Sequence, residues 1–528
     1  MRIVFYLLLL QLIFVGVSAQ SLETATGIVF EDLNKNNVFD QGELLIPNVA
    51  VSNGTDVVLT DENGRYRISV GDDAIVFVIK PGNYNYPLTE NNLPRFFYNH
   101  KPKGSPELKF EGVSPTGPLP ASIDFPLLSN GVTDAFSILV FSDPQPYIEE
   151  HIQYYERDIV EELLGESEHA FGITLGDLTG DNPDFFEPIN KATSRIGLPW
   201  FNVIGNHDLN FDATEFKYND ESFESVYGPS HYAFSHGKVH FFVLHNIMFP
   251  NTFTDYFYVG GITEQQFNFI ENSLQHIPKD NLIVFFMHIP LYNIPEWGTT
   301  FLKEHRHRLF DLIKDRPFTF SLSGHMHTQL HHYFGANDGW KQSAEHHHYT
   351  VGTASGDWWS GGFKENGVPV STMSDGSPNG YNILHFKGNT YSWDYKAAGK
   401  DANHRMRIYG PKKFQTGKTN RAELYVNFFQ GSEKDSVYFQ VGGGKWNPMN
   451  YILEQDPYVA SVRALWDQAE ILPEGVRPSG PSVSKHLWKA RIPRNLKAGK
   501  NTITVKVKHG ERAFFDTFDF EVVDEKLH

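Results

Sequence analysis

Five apolar stretches in the middle of the sequence each run directly into polar residues of types that bind metals. The stretches are LVFSDPQ, ITLGDLTGD, NVIGNHD, VFFMHIP and FSLSGHMH, in that order along the chain. In open α/β sheets, ligands bind at the carboxyl ends of the strands, so these strand ends would meet at one site. A single Asp-Gly or His-Pro pair is more often a turn or a cap, but five in order favour a binding site.

The donors in this set are carboxylates, amide oxygens and imidazoles, without any thiolate. Such a mixture suits Mn, Fe, Zn or a similar divalent ion. These donors are more than one metal ion with open coordination positions needs. Two ions about 3.5–4 Å apart that share a carboxylate would use all of them, and such a pair of ions serves in-line displacement at phosphorus. The candidate ligands are Asp143, Gln145, Asp177, Asn206, His288, His325 and His327.

The elements that must position these residues follow from the alternation of strand-like and helical patterns. Within residues 131–400, runs such as SILVFSD and FGITLGD alternate with helical segments, one of them near Tyr147 to Leu164, which predicts an α/β domain with a largely buried sheet. Residues 20–130 alternate apolar and polar residues between Asn-Gly pairs, the pattern of a small antiparallel β-domain. Strand patterns resume over 401–528 and predict a C-terminal β-sandwich.

The N-terminus, MRIVFYLLLLQLIFVGVSAQ, combines Arg2, an apolar stretch and small residues before Gln20. This pattern predicts a signal peptide over residues 1–19 and an exported chain, either periplasmic or secreted. The alternative is an uncleaved anchor helix, but the stretch is short and lacks a strongly basic flank. No later segment is long and apolar enough to span a membrane, so we predict no transmembrane segment after signal cleavage.

Composition excludes several classes of protein. The 528 residues are 40% hydrophobic, enough for a sizeable core in several domains. The absence of cysteine excludes disulfides, a cysteine nucleophile and a lipoprotein anchor. A formal charge of −18 disfavours nucleic acid as a partner. No G-x-S-x-G elbow or helix-opening nucleotide loop is present, and no sequence feature indicates an oligomeric state.

The order D-x-[H/Q], GD, GNHD, H-x-P and GHxH, from Asp143 to His327, resembles that of the calcineurin-like metallophosphoesterases, a superfamily of two-metal phosphohydrolases. The flanking β-domains and the export signal are similar to those of an exported bacterial subfamily with N- and C-terminal calcineurin-associated domains. The resemblance implies a four-layer αββα core between an N-terminal β-sandwich-like domain and a C-terminal β-sandwich.

The resemblance also implies a role for each residue. Asp177 would bridge the two metals, and His207 would be the general acid that protonates the leaving oxygen, with Asp208 orienting it. A metal-bridging hydroxide would attack phosphorus in line. The first metal would be held by Asp143, Gln145, Asp177 and His327, and the second by Asp177, Asn206, His288 and His325.

Gln145 stands where many relatives carry His. An amide oxygen in place of an imidazole makes the first site harder, which favours Mn over Fe or Zn. Pro144 and Pro146 should push Asp143 and Gln145 towards extended geometry.

A Gly-rich loop, GTASGDWWSGG, follows the last motif. It could contact the substrate through backbone N–H groups and an indole face; alternatively, the tryptophans only cap the sheet. The predicted substrate-binding residues are Ser355, Asp357, Trp358 and Trp359. We assign structural roles to His245 and to the histidines at 331–332 and 346–348. The alternation in HHHYTVGTAS predicts a strand, and we expect the histidines at 346–348 mostly to face solvent or to make polar contacts.

The N-terminal domain contains DLNKNNVFDQGE, whose oxygen donors follow the spacing of an EF-hand-type calcium loop. The sixth position is Asn37 instead of Gly, and Asn also adopts left-handed geometry. We predict a structural calcium ion; the alternative is an Asx-rich turn. The predicted ligands are Asp32, Asn34, Asn36, Val38, Asp40 and Glu43.

The predicted function is an exported, binuclear, metal-dependent phosphohydrolase that cleaves phosphate mono- or diesters of small molecules or glycans. The competing hypothesis is a non-catalytic protein that binds phosphoglycan or polysaccharide on a phosphoesterase fold. Loss of a bridging or acid residue would favour the second hypothesis, and both Asp177 and His207 are present.

Overall fold

The computed structural model describes residues 22–131, 134–293, 300–419, 422–494 and 496–524. The predicted signal peptide lies outside the described residues. None of the helices in these ranges is long and apolar enough to cross a bilayer.

The N-terminal region consists of two small sheets. One has the order β2-β1-β9-β7 with β5 paired to β1, and the other has the order β4-β3-β6-β8. Strand β5 alternates exposed and buried residues, as expected for a strand with one wet face. The strands are β1 (Glu23–Glu31), β2 (Leu44–Leu45), β3 (Ala50–Ser52), β4 (Val57–Leu59), β5 (Arg65–Val70), β6 (Ala74–Ile79), β7 (Tyr84–Asn85), β8 (Phe97–His100) and β9 (Phe125–Ser129).

The middle region alternates strands and helices, as predicted. The predicted helix near Tyr147 to Leu164 is α1 followed by a π-helical turn and a 3-10 turn. In chain order the elements are β10 (Ala135–Phe141), α1 (Glu149–Tyr155), β11 (Gly172–Leu175), α2 (Phe186–Ser194), β12 (Trp200–Val203), α3 (Glu221–Tyr227), β13 (Tyr232–His236), β14 (Val239–Val243), β15 (Ile247–Met248), β16 (Val259–Gly260), α4 (Glu264–Leu274), β17 (Leu282–Phe286), α5 (Lys303–Leu312), β18 (Thr319–Ser323), β19 (Leu330–Phe334), β20 (His346–Thr350), β21 (Gly380–Lys387) and β22 (Thr390–Ala397).

Two sheets of the middle region pack face to face. The first has the order β12-β11-β10-β21-β22 and the second the order β13-β14-β17-β18-β20-β19. Phe241 on β14 and Phe386 on β21 meet across the interface with ring centroids 5.7 Å apart. Helices α1 and α2 cover the first sheet, and α4 and α5 cover the second. The predicted four-layer αββα arrangement is therefore confirmed.

The histidines of β20 are buried and make polar contacts, so the second of the two predicted alternatives is confirmed and exposure to solvent is excluded. β20 lies between β18 and β19, and both of its faces are covered. Ring nitrogens of His346 and His348 bond to the hydroxyl of Ser321 at 2.8 and 2.7 Å. Interior imidazoles are tolerated here because neighbouring hydroxyls satisfy them.

The C-terminal region contains two facing sheets, of order β23-β25-β29-β28 and β24-β31-β30-β26-β27, around an apolar core. The predicted boundaries at residues 130 and 400 fall between β9 and β10 and between β22 and β23. The elements are β23 (Met406–Tyr409), β24 (Lys413–Gln415), β25 (Glu423–Phe428), β26 (Ser436–Val441), β27 (Asn447–Pro448), β28 (Asn450–Ile452), α6 (Pro457–Gln468), β29 (Leu487–Arg491), β30 (Gly499–His509) and β31 (Arg512–Val523).

Candidate metal centre

The predicted ligands meet where the two sheets of the middle region share an edge. Asp143, Asp177 and Asn206 follow β10, β11 and β12, the parallel strands of the first sheet. His288 and His325 follow β17 and β18, which are parallel in the second sheet. Carboxyl ends of parallel strands open on the same side, so both sheets direct polar side chains into one cleft.

The side chains form two adjacent groups. In the first, His327 Nε2 lies 2.8 Å from Gln145 Oε1 and 3.7 Å from Asp143 Oδ1. In the second, His288 Nε2 lies 2.9 Å from Asn206 Oδ1 and 3.2 Å from His325 Nδ1.

Asp177 joins the second group, with its Oδ2 3.2 Å from His288 Nε2. Its charge also acts on Asp143 in the first group. Asp143, Gln145 and His327 therefore lie together, as do Asn206, His288 and His325, with Asp177 acting on both groups. The assignment of the two groups to two metals stays a prediction.

Backbone carbonyls orient two of the imidazoles towards the cleft. Nδ1 of His288 bonds to the Leu175 carbonyl at 2.8 Å, and Nδ1 of His327 bonds to the Gly356 carbonyl at 2.6 Å. A neutral ring that donates from Nδ1 has a free lone pair on Nε2, and this tautomer can bind a metal through Nε2. Burial lowers the pKa of His325 to about 3 and of His327 to about 4, which keeps both rings neutral.

Several of these residues adopt left-handed backbone geometry. The φ angles of Asp143, Gln145, Asp177, His325 and His327 are 48°, 43°, 51°, 75° and 47°. Such geometry costs about 1–3 kcal/mol for a residue with a side chain and is concentrated at functional sites.

The prediction that the prolines hold Asp143 and Gln145 in extended geometry is therefore wrong. Contacts between strand ends override the local preference: the backbone N–H of Asp143 donates to the Gly176 carbonyl at 3.2 Å, and that of Gln145 donates to the Asp177 carbonyl at 3.1 Å.

The charges in the cleft suit cations. Asp143 and Asp177 are buried, and in the described part of the chain neither pairs with Lys or Arg. Burial, reinforced by the charge of Asp177, raises the pKa of Asp143 to about 7. Although burial opposes the charged form, Asp177 raises the pKa of His288 to about 9. Buried carboxylates need a compensating positive charge, which metal ions would supply. Asp177, His288 and His325 each place one ligand atom within 4.8 Å of the ligand atoms of the other two. The donor set therefore fits divalent metal ions.

His207 lies beside the cleft and is paired with Asp181. Its Nδ1 is 2.6 Å from Asp181 Oδ1, and its backbone N–H donates to Asp177 Oδ1 at 2.9 Å. Although burial opposes the charged form, Asp177 and Asp181 raise the pKa of His207 to about 9. The two carboxylates thus favour the protonated form of His207, which is the form that a general acid requires.

The prediction that Asp208 orients His207 is wrong. The Asp208 carboxylate accepts hydrogen bonds from the backbone N–H groups of Gly205, Leu178 and Thr179 at 2.8, 3.1 and 2.9 Å. It therefore holds two strand-end loops together. Sequence reasoning missed Asp181, although it ends the stretch ITLGDLTGD, four residues after Asp177.

Asn246 is a second residue that the sequence analysis missed. Its Oδ1 accepts from the backbone N–H groups of His288 and Ile289 at 3.2 and 3.1 Å, so it positions the MHIP segment. Its neighbour His245, given a structural role by the sequence analysis, is buried, with Nε2 3.0 Å from Asn219 Oδ1.

The four predicted substrate-binding residues of the Gly-rich loop lie in different surroundings. Trp358 lines a cavity of about 360 Å³ together with ligand candidates and His207. The indole N–H of Trp359 donates to the Pro144 carbonyl at 2.9 Å, and Asp357 accepts from the Ser479 backbone N–H at 2.6 Å. Ser355 is buried. Only Trp358 of the four predicted substrate contacts lines the cavity.

The predicted calcium loop joins β1 and β2. Asp32 Oδ2 accepts from the Asn37 backbone N–H at 2.8 Å, and Glu43 Oε2 accepts from the Asp40 backbone N–H at 2.9 Å. Asn37 has a φ of 65°, the left-handed geometry expected at the sixth position. The calcium ion itself stays a prediction.

Three family models match consecutive parts of the chain. Residues 34–114 match the N terminal of Calcineurin-like phosphoesterase, residues 136–329 match Calcineurin-like phosphoesterase, and residues 348–512 match the C terminal of Calcineurin-like phosphoesterase. The chain belongs to the calcineurin-like phosphoesterases. This phosphoesterase is a metal-dependent hydrolase.

Two solved structures are similar to the phosphoesterase. A dimetal phosphatase from Danio rerio is 11% identical, with 50% of this chain and 97% of that chain covered and a TM-score of 0.36. A purple acid phosphatase from yellow lupin seeds is 12% identical, with 66% of this chain and 67% of that chain covered and a TM-score of 0.36. A comparison with curated proteins found no match.

Proposed function

We propose that this phosphoesterase is an exported enzyme that hydrolyses phosphate mono- or diesters at two divalent cations. The first cation would be held by Asp143, Gln145, Asp177 and His327, and the second by Asp177, Asn206, His288 and His325. The observation that carries the proposal is the division of these side chains into two groups around Asp177, with the paired acid His207 at their edge.

When bound, the cations would polarise the phosphoryl oxygens and acidify a water molecule that attacks phosphorus in line with the leaving group. His207 would protonate the leaving oxygen. Its Nδ1 is engaged with Asp181, which leaves Nε2 for the substrate, and the ring lines the cavity beside Asp177 and Gln145. Tyr147 accepts a hydrogen bond from Gln145 Nε2 at 3.0 Å, which orients Gln145 Oε1 towards the first metal group.

The metals are proposed from the donor atoms. Because Gln145 supplies an oxygen, the first site should prefer Mn over Fe or Zn. Gln145→His should raise the zinc affinity of that site by about tenfold or more, since imidazole is the better ligand for zinc. Isothermal titration of the metal-free protein measures this, and an unchanged zinc affinity would mean that residue 145 does not bind the metal.

The activity is tested with protein stripped of metal and reloaded with Mn²⁺, Fe²⁺ or Zn²⁺. We expect turnover of 4-nitrophenyl phosphate, bis(4-nitrophenyl) phosphate or both, and the ratio of the two rates distinguishes a monoesterase from a diesterase. Asp177→Asn should reduce kcat by about 10²-fold or more, because it weakens both cation sites. Asp184→Asn, at an exposed carboxylate outside both ligand groups, is the matched control. Failure to hydrolyse either ester with two metals bound per chain would refute the proposal.

A further inference from the structure

The cavity above the ligand cluster has aromatic walls. Trp358 stacks on His327 with ring centroids 3.9 Å apart and an interplanar angle of 21°. On the other side, the Tyr258 ring lies 6.1 Å from the His325 ring. Tyr256 and Phe257 extend that second wall and are 48% and 63% exposed. Each group of ligand candidates therefore has an aromatic ring beside it.

Trp358 differs from its neighbour Trp359 in exposure and not in backbone geometry. Both have left-handed φ angles, 51° and 57°, which residues with a side chain adopt only when their surroundings require it. Trp358 is 37% exposed, whereas Trp359 is 1% exposed and donates to a backbone carbonyl. A tryptophan that only capped the sheet would be covered as Trp359 is. An exposed indole face beside a reaction centre is instead suited to stack on a ligand ring.

The charge of the cavity restricts the ligand further. None of the described residues that line it is Lys or Arg, and the whole chain carries a formal charge of −18. The cationic side chain in the lining, His207, is paired with Asp181 and assigned to the leaving oxygen. A second phosphate or a carboxylate on the substrate would therefore find no Lys or Arg among these residues, so the part of the ester distant from the reacting phosphate should be uncharged.

We propose that this enzyme selects phosphate esters of uncharged alcohols that carry a planar aromatic ring, and that Trp358 is the residue that recognises the ring. The inference rests on the proposed hydrolase activity for its turnover measurement, but not for its binding measurement. One face of the indole is covered by His327, and the ligand ring would stack on the free face.

The test compares three alcohols of similar acidity: 2-phenylethanol, 2-cyclohexylethanol and ethanol. Their phosphate monoesters and methyl diesters differ little in reactivity at phosphorus, so kcat/KM reports recognition of the distant group. We expect the phenylethyl ester to exceed the ethyl ester by about tenfold or more, the strength of one base–aromatic stack, and to exceed the cyclohexyl ester severalfold. Calorimetric titration with 2-phenylethylphosphonate and 2-cyclohexylethylphosphonate should show the same order of affinity.

Substitutions assign the preference to one side chain. Trp358→Ala should bring the phenylethyl-to-cyclohexyl ratio close to one, and Trp358→Phe should retain most of it. Phe363→Ala is the matched control, because Phe363 is an exposed ring directly after the same loop and does not line the cavity. Its ratio should match the wild type.

Equal kcat/KM and equal phosphonate affinity for the aromatic and cyclohexyl compounds in the wild type would overturn the inference. So would a ratio unchanged by Trp358→Ala. If no ester is turned over but the aromatic phosphonate still binds more tightly, the proposed hydrolase activity fails and the recognition by Trp358 stands.

Discussion

Replacing Asp181 with Asn tests the proposed acid directly. Asp181 lies 2.6 Å from Nδ1 of His207, and its side chain is 49% exposed. The bound cations would offset the charge of Asp177, which leaves Asp181 as the carboxylate that keeps the imidazole of His207 protonated. Asn can still accept a hydrogen bond at this position but carries no charge.

The expected change in the pKa of His207 follows from the distance between Asp181 Oδ1 and His207 Nδ1. Two unit charges 2.6 Å apart interact by about 1.6 kcal/mol in a water-like dielectric, the appropriate limit for a half-exposed carboxylate. Since one pKa unit corresponds to about 1.4 kcal/mol, the pKa of His207 should fall by about one unit. A raised pKa keeps the acid form present to higher pH, so the variant should lose its protonated imidazole at lower pH than the wild type. The loss of kcat in the variant relative to the wild type should therefore become larger as pH rises.

The assay compares leaving groups. An alkyl alcohol leaves poorly and needs the proton, so kcat for ethyl phosphate should fall by about tenfold at alkaline pH. A 4-nitrophenolate ion leaves without help, and its kcat should fall by less than about twofold. Asp184→Asn serves as the control. Equal losses for both esters, or a deficit that does not depend on pH, would refute the role of Asp181.

Three further predictions concern the scaffold. Gly205→Ala should lower the metal content below two ions per chain, measured by elemental analysis. The added Cβ would lie 1.9 Å from the Asp177 backbone nitrogen and so displace the ligand shared by both sites. Gly335→Ala, with open space around it, should bind both metals, and equal metal content of the two variants would contradict the prediction. Burial lowers the pKa of Lys80 to about 7. Between about pH 7 and 10 the unfolded chain therefore binds one proton more than the folded chain, so the stability of the wild type should rise with pH. Relative to Lys80→Met, its free energy of unfolding in urea should rise by about 2 kcal/mol from pH 7.5 to 9.5. An unchanged difference between the two proteins would mean that Lys80 is not neutral in the folded state. Calcium at 100 times its Kd should stabilise the wild type by about 2.7 kcal/mol, and Asp40→Asn should reduce the stabilisation measured by thermal denaturation; equal stabilisation of both proteins would exclude Asp40 as a ligand.

Much of the fold and of the metal centre could be predicted because the signals are local. A strand buried on both faces appears as a continuous apolar run, and an Asp, Asn or His at its end marks the edge where ligands bind. Asp143, Asp177 and His288 each stand two positions after the last residue of such a strand. The N- and C-terminal β-regions were predicted in the same way from their strand patterns.

Other features depend on which atoms tertiary contacts bring together. GDLTGD offers two carboxylates and GNHD offers one, and the sequence does not show which of the three faces His207. The structure directs Asp181 to the imidazole and uses Asp208 to tie backbone N–H groups together. In the same way, Pro144 and Pro146 restrict their neighbours locally, but hydrogen bonds between strand ends outweigh that preference.

The sequence by itself determined the donor atoms, their order and the strands that carry them, because residue type and strand periodicity are properties of a short segment. Only the tertiary structure decided that Trp358 faces the cavity while Trp359 is buried, and that the histidines of β20 lie in the interior. Adjacent residues of one type differ only in what the rest of the chain packs against them, and that packing arises from contacts between segments distant in sequence.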